Sequence, residues 1–120
     1  MRGEEHLTQS IQYALVYQQG SSWVSSLIVM KALPNGLGLS RYGFSVSKRV
    51  GKAVTRNKVK RLLREILRLV PVEPGWDVIF IARSAAATTG YTELKKSVEG
   101  LLSRAKLLTR NYEDIYLKTN

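Results

Sequence analysis

The chain has no cysteine and a single histidine. Without cysteine there are no disulfides, no thiolate metal sites and no thiol nucleophile, which fits a reducing compartment, the cytoplasm. The one histidine, His6, sits near the start of the chain with no second histidine to share general base or metal-ligand work. Acidic residues are also scarce, nine against nineteen Lys and Arg. Glu4, Glu5, Glu73, Asp77 and Glu93 are scattered at no metal-site spacing, and Asp77 is expected at a strand start. Gly36-Leu37-Gly38 lacks the rest of any nucleotide-binding fingerprint. No stretch approaches the roughly 18 uninterrupted apolar residues of a membrane span. Residues 1–8, with Glu4 and Glu5, have no apolar run and do not make a secretory signal. A self-contained active site and a membrane partner are therefore not expected.

What is present is one domain's length of chain, 120 residues, 44% of them hydrophobic, carrying a formal charge of +10. Such a charge points to a polyanionic partner, and its placement is informative. Between Lys48 and Arg68 lie nine basic residues (48, 49, 52, 56, 58, 60, 61, 64 and 68) and one acid, Glu65, so this window holds +8 of the +10. The rest of the chain is close to neutral.

Along the chain, Leu7, Ile11, Ala14 and Leu15 recur at helical spacing over residues 7–19, and Gly20 is a fitting stop. Residues 21–32 are rich in β-branched and large apolar side chains and read as one long strand or two short ones. A turn at residues 34–38 precedes a strand over residues 40–47, with Tyr42, Phe44 and Val46 on one face and Gly43, Ser45 and Ser47 on the other. The basic segment is helical from Thr55 to Val70, stopped by Pro71 and Pro74. Residues 76–82 form a nearly continuous apolar run, the mark of a strand buried on both faces. After a small-residue loop at 84–90, residues 91–108 predict an amphipathic helix with Leu94, Val98, Leu101, Leu102 and Ala105 inward. The domain therefore spans residues 1–108. Residues 109–120 show no clear pattern and read as a tail, expected to be disordered. The order is that of a single-domain α+β sandwich, α-β-β-β-α-β-α, with one layer of helices.

At about 100° per residue from Asn57, Arg61, Arg64 and Arg68 fall within about 40° and Lys60 within about 60°. Val59, Leu62, Leu63, Ile66 and Val70 gather on the opposite side. The helix thus has an apolar face to dock and a guanidinium-rich face suited to successive phosphates. An ordinary solvated face mixes signs at four-residue spacing; this one has one acid. Ahead of it, Lys48, Arg49 and Lys52 surround Gly51, which either lets a phosphate approach the backbone or is an ordinary turn glycine.

Ser45-Val46-Ser47-Lys48-Arg49-Val50-Gly51-Lys52-Ala53-Val54-Thr55-Arg56-Asn57-Lys58-Val59-Lys60-Arg61-Leu62-Leu63-Arg64-Glu65 closely resembles the signature of the bacterial ribonuclease P protein family. That signature is an Arg-Asn-Arg/Lys-hydrophobic-Lys-Arg-Leu-x-Arg helix after a Ser-x-Lys-Lys/Arg-x-Gly-x-Ala-Val lead-in. Looser likeness continues through residues 76–83 and 91–94, so that it covers residues 7–108. The resemblance implies a left-handed βαβ crossover through the basic helix, against the usual rule. It implies a protein subunit of an endoribonuclease that removes the 5′ leader of precursor tRNA, with catalysis and Mg²⁺ held by a catalytic RNA and its substrate. It further implies that Lys52, Arg56, Asn57, Lys60, Arg61 and Arg64 contact that RNA. Lys48, Arg49, Lys58 and Arg68 extend the same basic surface.

A second surface, a cleft between the first helix and the sheet, would hold the single-stranded leader. Tyr13 and Tyr17, one helical turn apart, either stack on unpaired bases or are core residues with satisfied hydroxyls. Ser45 and Ser47 leave room for a backbone there. The chain departs from the family at its start, where Arg2 is the only cation before Lys31 and Tyr stands in the first helix where relatives usually have Phe. Two other classes remain. A ribosomal or other structural RNA-binding protein would use the basic helix as a passive clamp. A helix-turn-helix DNA reader needs a short helix packed across the basic one, whereas strands flank it here, so DNA is not the expected partner.

Overall fold

The computed structural model describes residues 6–119. Its elements are α1 (Ser10–Gln19), β1 (Ser21–Val24), β2 (Ile28–Pro34), β3 (Arg41–Ser45), α2 (Ala53–Leu69), β4 (Trp76–Ala82), a short 3-10 turn (Ser84–Thr88), α3 (Tyr91–Arg104) and α4 (Arg110–Thr119). Ser25 divides the β-rich stretch into two strands. Its Oγ accepts from the N–H groups of Leu27 and Ile28 and also hydrogen-bonds the Ser97 hydroxyl, pinning a tight hairpin. The sheet order is β1-β2-β4-β3. β3 and β4 are parallel and the other pairs antiparallel. A parallel pair of neighbours needs a crossover, and α2 supplies it.

Strand alternation sorts the side chains between two layers. Ile28, Met30 and Ala32 of β2 and Val78, Phe80 and Ala82 of β4 meet Leu62, Leu63 and Ile66 of α2 and Leu94, Val98, Leu101 and Leu102 of α3 in the main core. Ile79 points to the other face, where it packs with Leu7 and Val16, flanked by Tyr13, Leu33 and Ile81. β4 is therefore buried on both faces, as its apolar run predicts. At the start of β4, Asp77 is buried. It accepts Arg41 Nε at 2.8 Å, Arg41 Nη2 at 2.7 Å and Asn35 Nδ2 at 2.9 Å, a two-pronged pairing that ties β3 and the turn to β4. The Asp77 hydrogen bond is the main reason the Arg41 pKa lies above its ordinary value.

Three expectations need correction. The first helix starts at Ser10, where Gln12 Oε1 accepts from the N–H groups of Thr8 and Gln9. Leu7 precedes it, and its N–H bonds to Tyr42 O at 2.8 Å, while His6 bridges to Tyr42 beside β3. The Ile11–Leu15 side of α1 is exposed, at 61% and 41%, while Val16 is fully buried. The cluster under α1 is small, so one inserted side chain fills it and the apolar spacing of the helix says little. The predicted helix over 91–108 stops at Arg104, because Lys106 takes a positive φ of 59° and turns Leu107 and Leu108 back into the core. The patternless tail forms α4, whose Tyr112 and Tyr116 pack against the main core and which is tied to α3 by polar contacts. Tyr112 Oη donates to Glu99 Oε2 at 2.5 Å and Ser103 Oγ donates to Glu113 Oε1 at 3.2 Å. Burial first, then the bond to Glu99, pushes the Tyr112 hydroxyl pKa far above its ordinary value. Ile115 and Leu117 stay exposed, which is why apolar periodicity misses this helix. Arg2, Glu4 and Glu5 lie outside the described residues.

The main core makes Ile66 critical and Leu69 dispensable: Ile66 is fully buried and Leu69 is 63% exposed. Ile66→Ala should lower stability in chemical denaturation by about 2–5 kcal/mol. Leu69→Ala should change it by less than about 0.5 kcal/mol. Equal losses would mean that the apolar face of α2 has been misassigned.

Candidate nucleic-acid interface

The basic helix starts at Ala53, two residues earlier than its pattern predicts. The chain turns into it through Val50 N–H to Ser47 O (3.0 Å) and Gly51 N–H to Lys48 O (3.2 Å), with Val50 buried as an anchor. Gly51 has φ +151°, and a Cβ there would lie 3.1 Å from that of Thr55. It is a turn glycine whose conformation other residues rarely adopt. The first turn of α2 contains no acid. The positive helix end therefore adds to Lys48, Arg49 and Lys52, all three exposed.

Burial of Val59, Leu62, Leu63, Ile66 and Leu67 fixes the rotation of α2. Asn57, Lys58, Arg61, Arg64 and Arg68 are left exposed, while Arg56 and Lys60 are half-buried at the edges. From Asn57 to Arg68 this face runs about 16 Å at 1.5 Å per residue. Among the described residues, Glu65 is the one acid that pairs with it, its Oε1 4.0 Å from Arg61 Nε. Contacts that loose and exposed are worth little. The Nε of Arg56 is buried with no hydrogen-bond partner. Val54, Asn57, Lys58, Arg61 and Arg64 line a shallow groove of about 560 Å³ along the helix.

The second surface lies across the sheet. The Tyr13 ring rests on Gly43 of β3, so closely that a Cβ there would sit 2.7 Å from its Cε1 and hydroxyl. Burial raises the Tyr13 pKa above its ordinary value, against a hydrogen bond from the Phe44 backbone. Tyr13 is thus a packed residue with a satisfied hydroxyl, whereas Tyr17, one turn on, is 40% exposed. One row further along the strands, the register aligns Val24, Val29, Ile81 and Ser45 across all four strands. At about 4.8 Å per strand the row is about 14 Å wide. All four side chains keep solvent access.

Beside this row, Ser47, Arg49, Ile81, Ala82, Arg83 and Ser84 enclose a pocket of about 290 Å³. It brings together Arg49, from the lead-in to α2, and Arg83, from the end of β4. Ser47 is exposed at this rim and its Oγ accepts from Arg49 N–H at 3.3 Å. Arg83 is oriented by its Nη1, which donates to Ser25 O at 2.8 Å. Sequence reasoning passes over Arg83 as a lone cation after a strand. The signal was its position: β3 and β4 run parallel, so residues just past their ends emerge side by side. Lys48, Arg49, Lys52 and the exposed α2 residues thus join one tract, while Ser45 ends β3 in the sheet row, Ser47 lies just beyond it, and Tyr17 is exposed on α1. Among the described residues no three His, Asp or Glu side chains gather as a metal cluster, and no helix is long and apolar enough to cross a membrane.

Comparison with known proteins gives one family. Residues 1–106 match the family model of Ribonuclease P. The ribonuclease P protein component of Dehalococcoides mccartyi is 44% identical over 120 residues, covering all of both chains. That of Caldanaerobacter subterraneus is 43% identical over 103 residues, covering 84% of this chain and 89% of the relative. The solved RNase P protein of Staphylococcus aureus superposes with a TM-score of 0.79 at 29% identity, covering 88% of this chain and 98% of that one. For the RNase P protein of Thermotoga maritima the TM-score is 0.74 at 30% identity, covering 83% and 96%.

The contact of Tyr13 with Gly43 can be tested by a double-mutant cycle. Gly43→Ala should destabilise the protein by about 1–3 kcal/mol, the usual range for overpacking. In a Tyr13→Ala background that penalty should largely vanish, since the ring is what the new methyl meets. The same penalty in both backgrounds would show that the ring does not rest on the strand.

Proposed function

The chain belongs to the ribonuclease P protein family, and from that membership we propose that it is the protein subunit of a ribonuclease P that matures the 5′ end of tRNA in the cytoplasm. In this reading the α2 face carrying Lys52, Arg56, Asn57, Lys58, Lys60, Arg61, Arg64 and Arg68 binds the catalytic RNA. The cleft row beside Tyr17, Ser45 and Ser47 takes the single-stranded 5′ leader of precursor tRNA, with Tyr13 as its packed wall. Lys48, Arg49 and Arg83 lie between the two, where RNA subunit and substrate converge.

The observation that carries this reading is the meeting of Arg49 and Arg83 in one pocket, which links the basic helix to the sheet row. A phosphate chain leaving the row for the helix would meet Arg83 and Arg49 on the way. Guanidinium groups bind phosphate oxygens two at a time, so such a tract favours a folded polyanion over single small anions. The open row is apolar and uncharged, which suits unpaired bases whose phosphates face outward. A surface of this sign repels divalent cations, so the Mg²⁺ needed for hydrolysis is held by the RNA and the substrate. The protein's share is to bind and align.

The test is multiple-turnover cleavage of a precursor tRNA by a bacterial ribonuclease P RNA at low Mg²⁺, with and without the protein. Stimulation with the cut at the mature 5′ end is the expected result. Tight RNA binding without stimulation would instead favour a passive RNA-binding protein.

A further inference from the structure

Val54 is 82% exposed, the most exposed large apolar residue among the described residues, although it lies on the strongly basic helix α2. It stands at one end of the groove that also contains Asn57, Lys58, Arg61 and Arg64. Val54, Asn57, Lys58 and Arg61 are spaced i, i+3, i+4 and i+7, so they form one continuous stripe. Phosphate binding explains the cations. It does not explain an apolar side chain and a neutral carboxamide at the same spot.

The side chain of Asn57 is exposed and takes part in none of the hydrogen bonds among the described residues, whereas Asn35 is fully engaged with Leu39, Asp77 and Leu37. A free carboxamide presents one donor and one acceptor side by side. That pair matches the N6 amino group and N7 of adenine, which Asn reads with two hydrogen bonds. An unstacked base also needs an apolar surface against its face, and Val54 supplies one a single turn away. The flanking cations are placed to hold the phosphates on either side of such a nucleotide.

We propose that this groove captures one unpaired adenine of the bound RNA, with Asn57 reading its N6/N7 edge and Val54 packing on its face. Arg61 and Arg64 hold the adjoining phosphates. The inference rests on the proposed binding of ribonuclease P RNA by α2, and it adds base recognition to a surface that otherwise reads only phosphates. The groove is a specificity element, because a duplex or a protein segment of acidic character would satisfy the cations and leave Asn57 and Val54 unused.

The experiment is interference mapping with 7-deazaadenosine scattered through a bacterial ribonuclease P RNA, selecting molecules that bind the protein. Removing N7 should weaken binding at one unpaired adenine, by no more than the loss of the whole Asn57 contact. Asn57→Ala should weaken binding about tenfold, in the range of a lost two-bond base contact, and abolish that interference. Val54→Ser, on a side chain exposed enough for the fold to be indifferent, should weaken binding while the interference persists. Normal binding of fully substituted RNA, or interference that is the same for Asn57→Ala as for the unaltered protein, would overturn base capture and leave a phosphate clamp. Failure of the unaltered protein to bind the RNA at all would overturn the parent reading with it, and the two failures are distinguished by that first control.

Discussion

The docking of the apolar side of α2 onto the sheet is the contact on which the rest depends. Leu62, Leu63 and Ile66 share one buried core with Met30, Val78 and Phe80, and a helix held by that many buried side chains cannot rotate. Its other side is thereby fixed as a row of like charges, which repel one another and would destabilise a free helix. Burial near 25 cal/mol per Å² outweighs that repulsion many times over. The same contact closes the crossover between the parallel strands β3 and β4, whose ends bring Arg49 and Arg83 into one pocket. Core packing and interface geometry are consequences of one arrangement.

The polar interactions have a different task, which is to locate the ends of elements. Asp77 gathers Arg41 and Asn35 at the start of β4, and Ser25 pins the hairpin at its other end. Arg83 and Arg104 each donate to a carbonyl of that hairpin, at Ser25 and Val24. The rim of the open sheet row is thus set by hydrogen bonds rather than by apolar packing. Such a rim keeps its shape while exposing little hydrophobic surface to water.

Much of this was legible because strong periodicity and strong burial coincide. The α2 pattern has a clear apolar side, and β4 is apolar at nearly every position, so both were found within a few residues. The buried side of α1, though not its existence or its end at Gly20, and the whole of α4 were not legible, for the same physical reason in reverse. α1 buries one residue fully, Val16, and leaves Ile11 and Leu15 in solvent, while α4 is held by the half-buried rings of Tyr112 and Tyr116 and by two polar contacts to α3. Weakly anchored helices leave weak patterns. On the candidate site, the exposed cations of α2 follow directly from the helical spacing. Arg83 does not, because its partnership with Arg49 exists only once the strands are paired in register. Tyr13 and Tyr17 look equivalent in sequence and differ in the fold, one laid against Gly43 and the other open.

The most direct test of a two-sided α2 is the salt dependence of ribonuclease P RNA binding by the unaltered protein and by the Arg61→Ala/Arg64→Ala double variant, with thermal unfolding followed alongside. Neutralisation of about four to six phosphates predicts a slope of log affinity on log salt of about −3 to −5. The double variant should bind with a slope shallower by about 1.5–2 and unfold at an unchanged temperature. A flat slope for the unaltered protein, or a double variant that unfolds early with its slope intact, would contradict the separation of a fold-bearing side of α2 from an RNA-binding one.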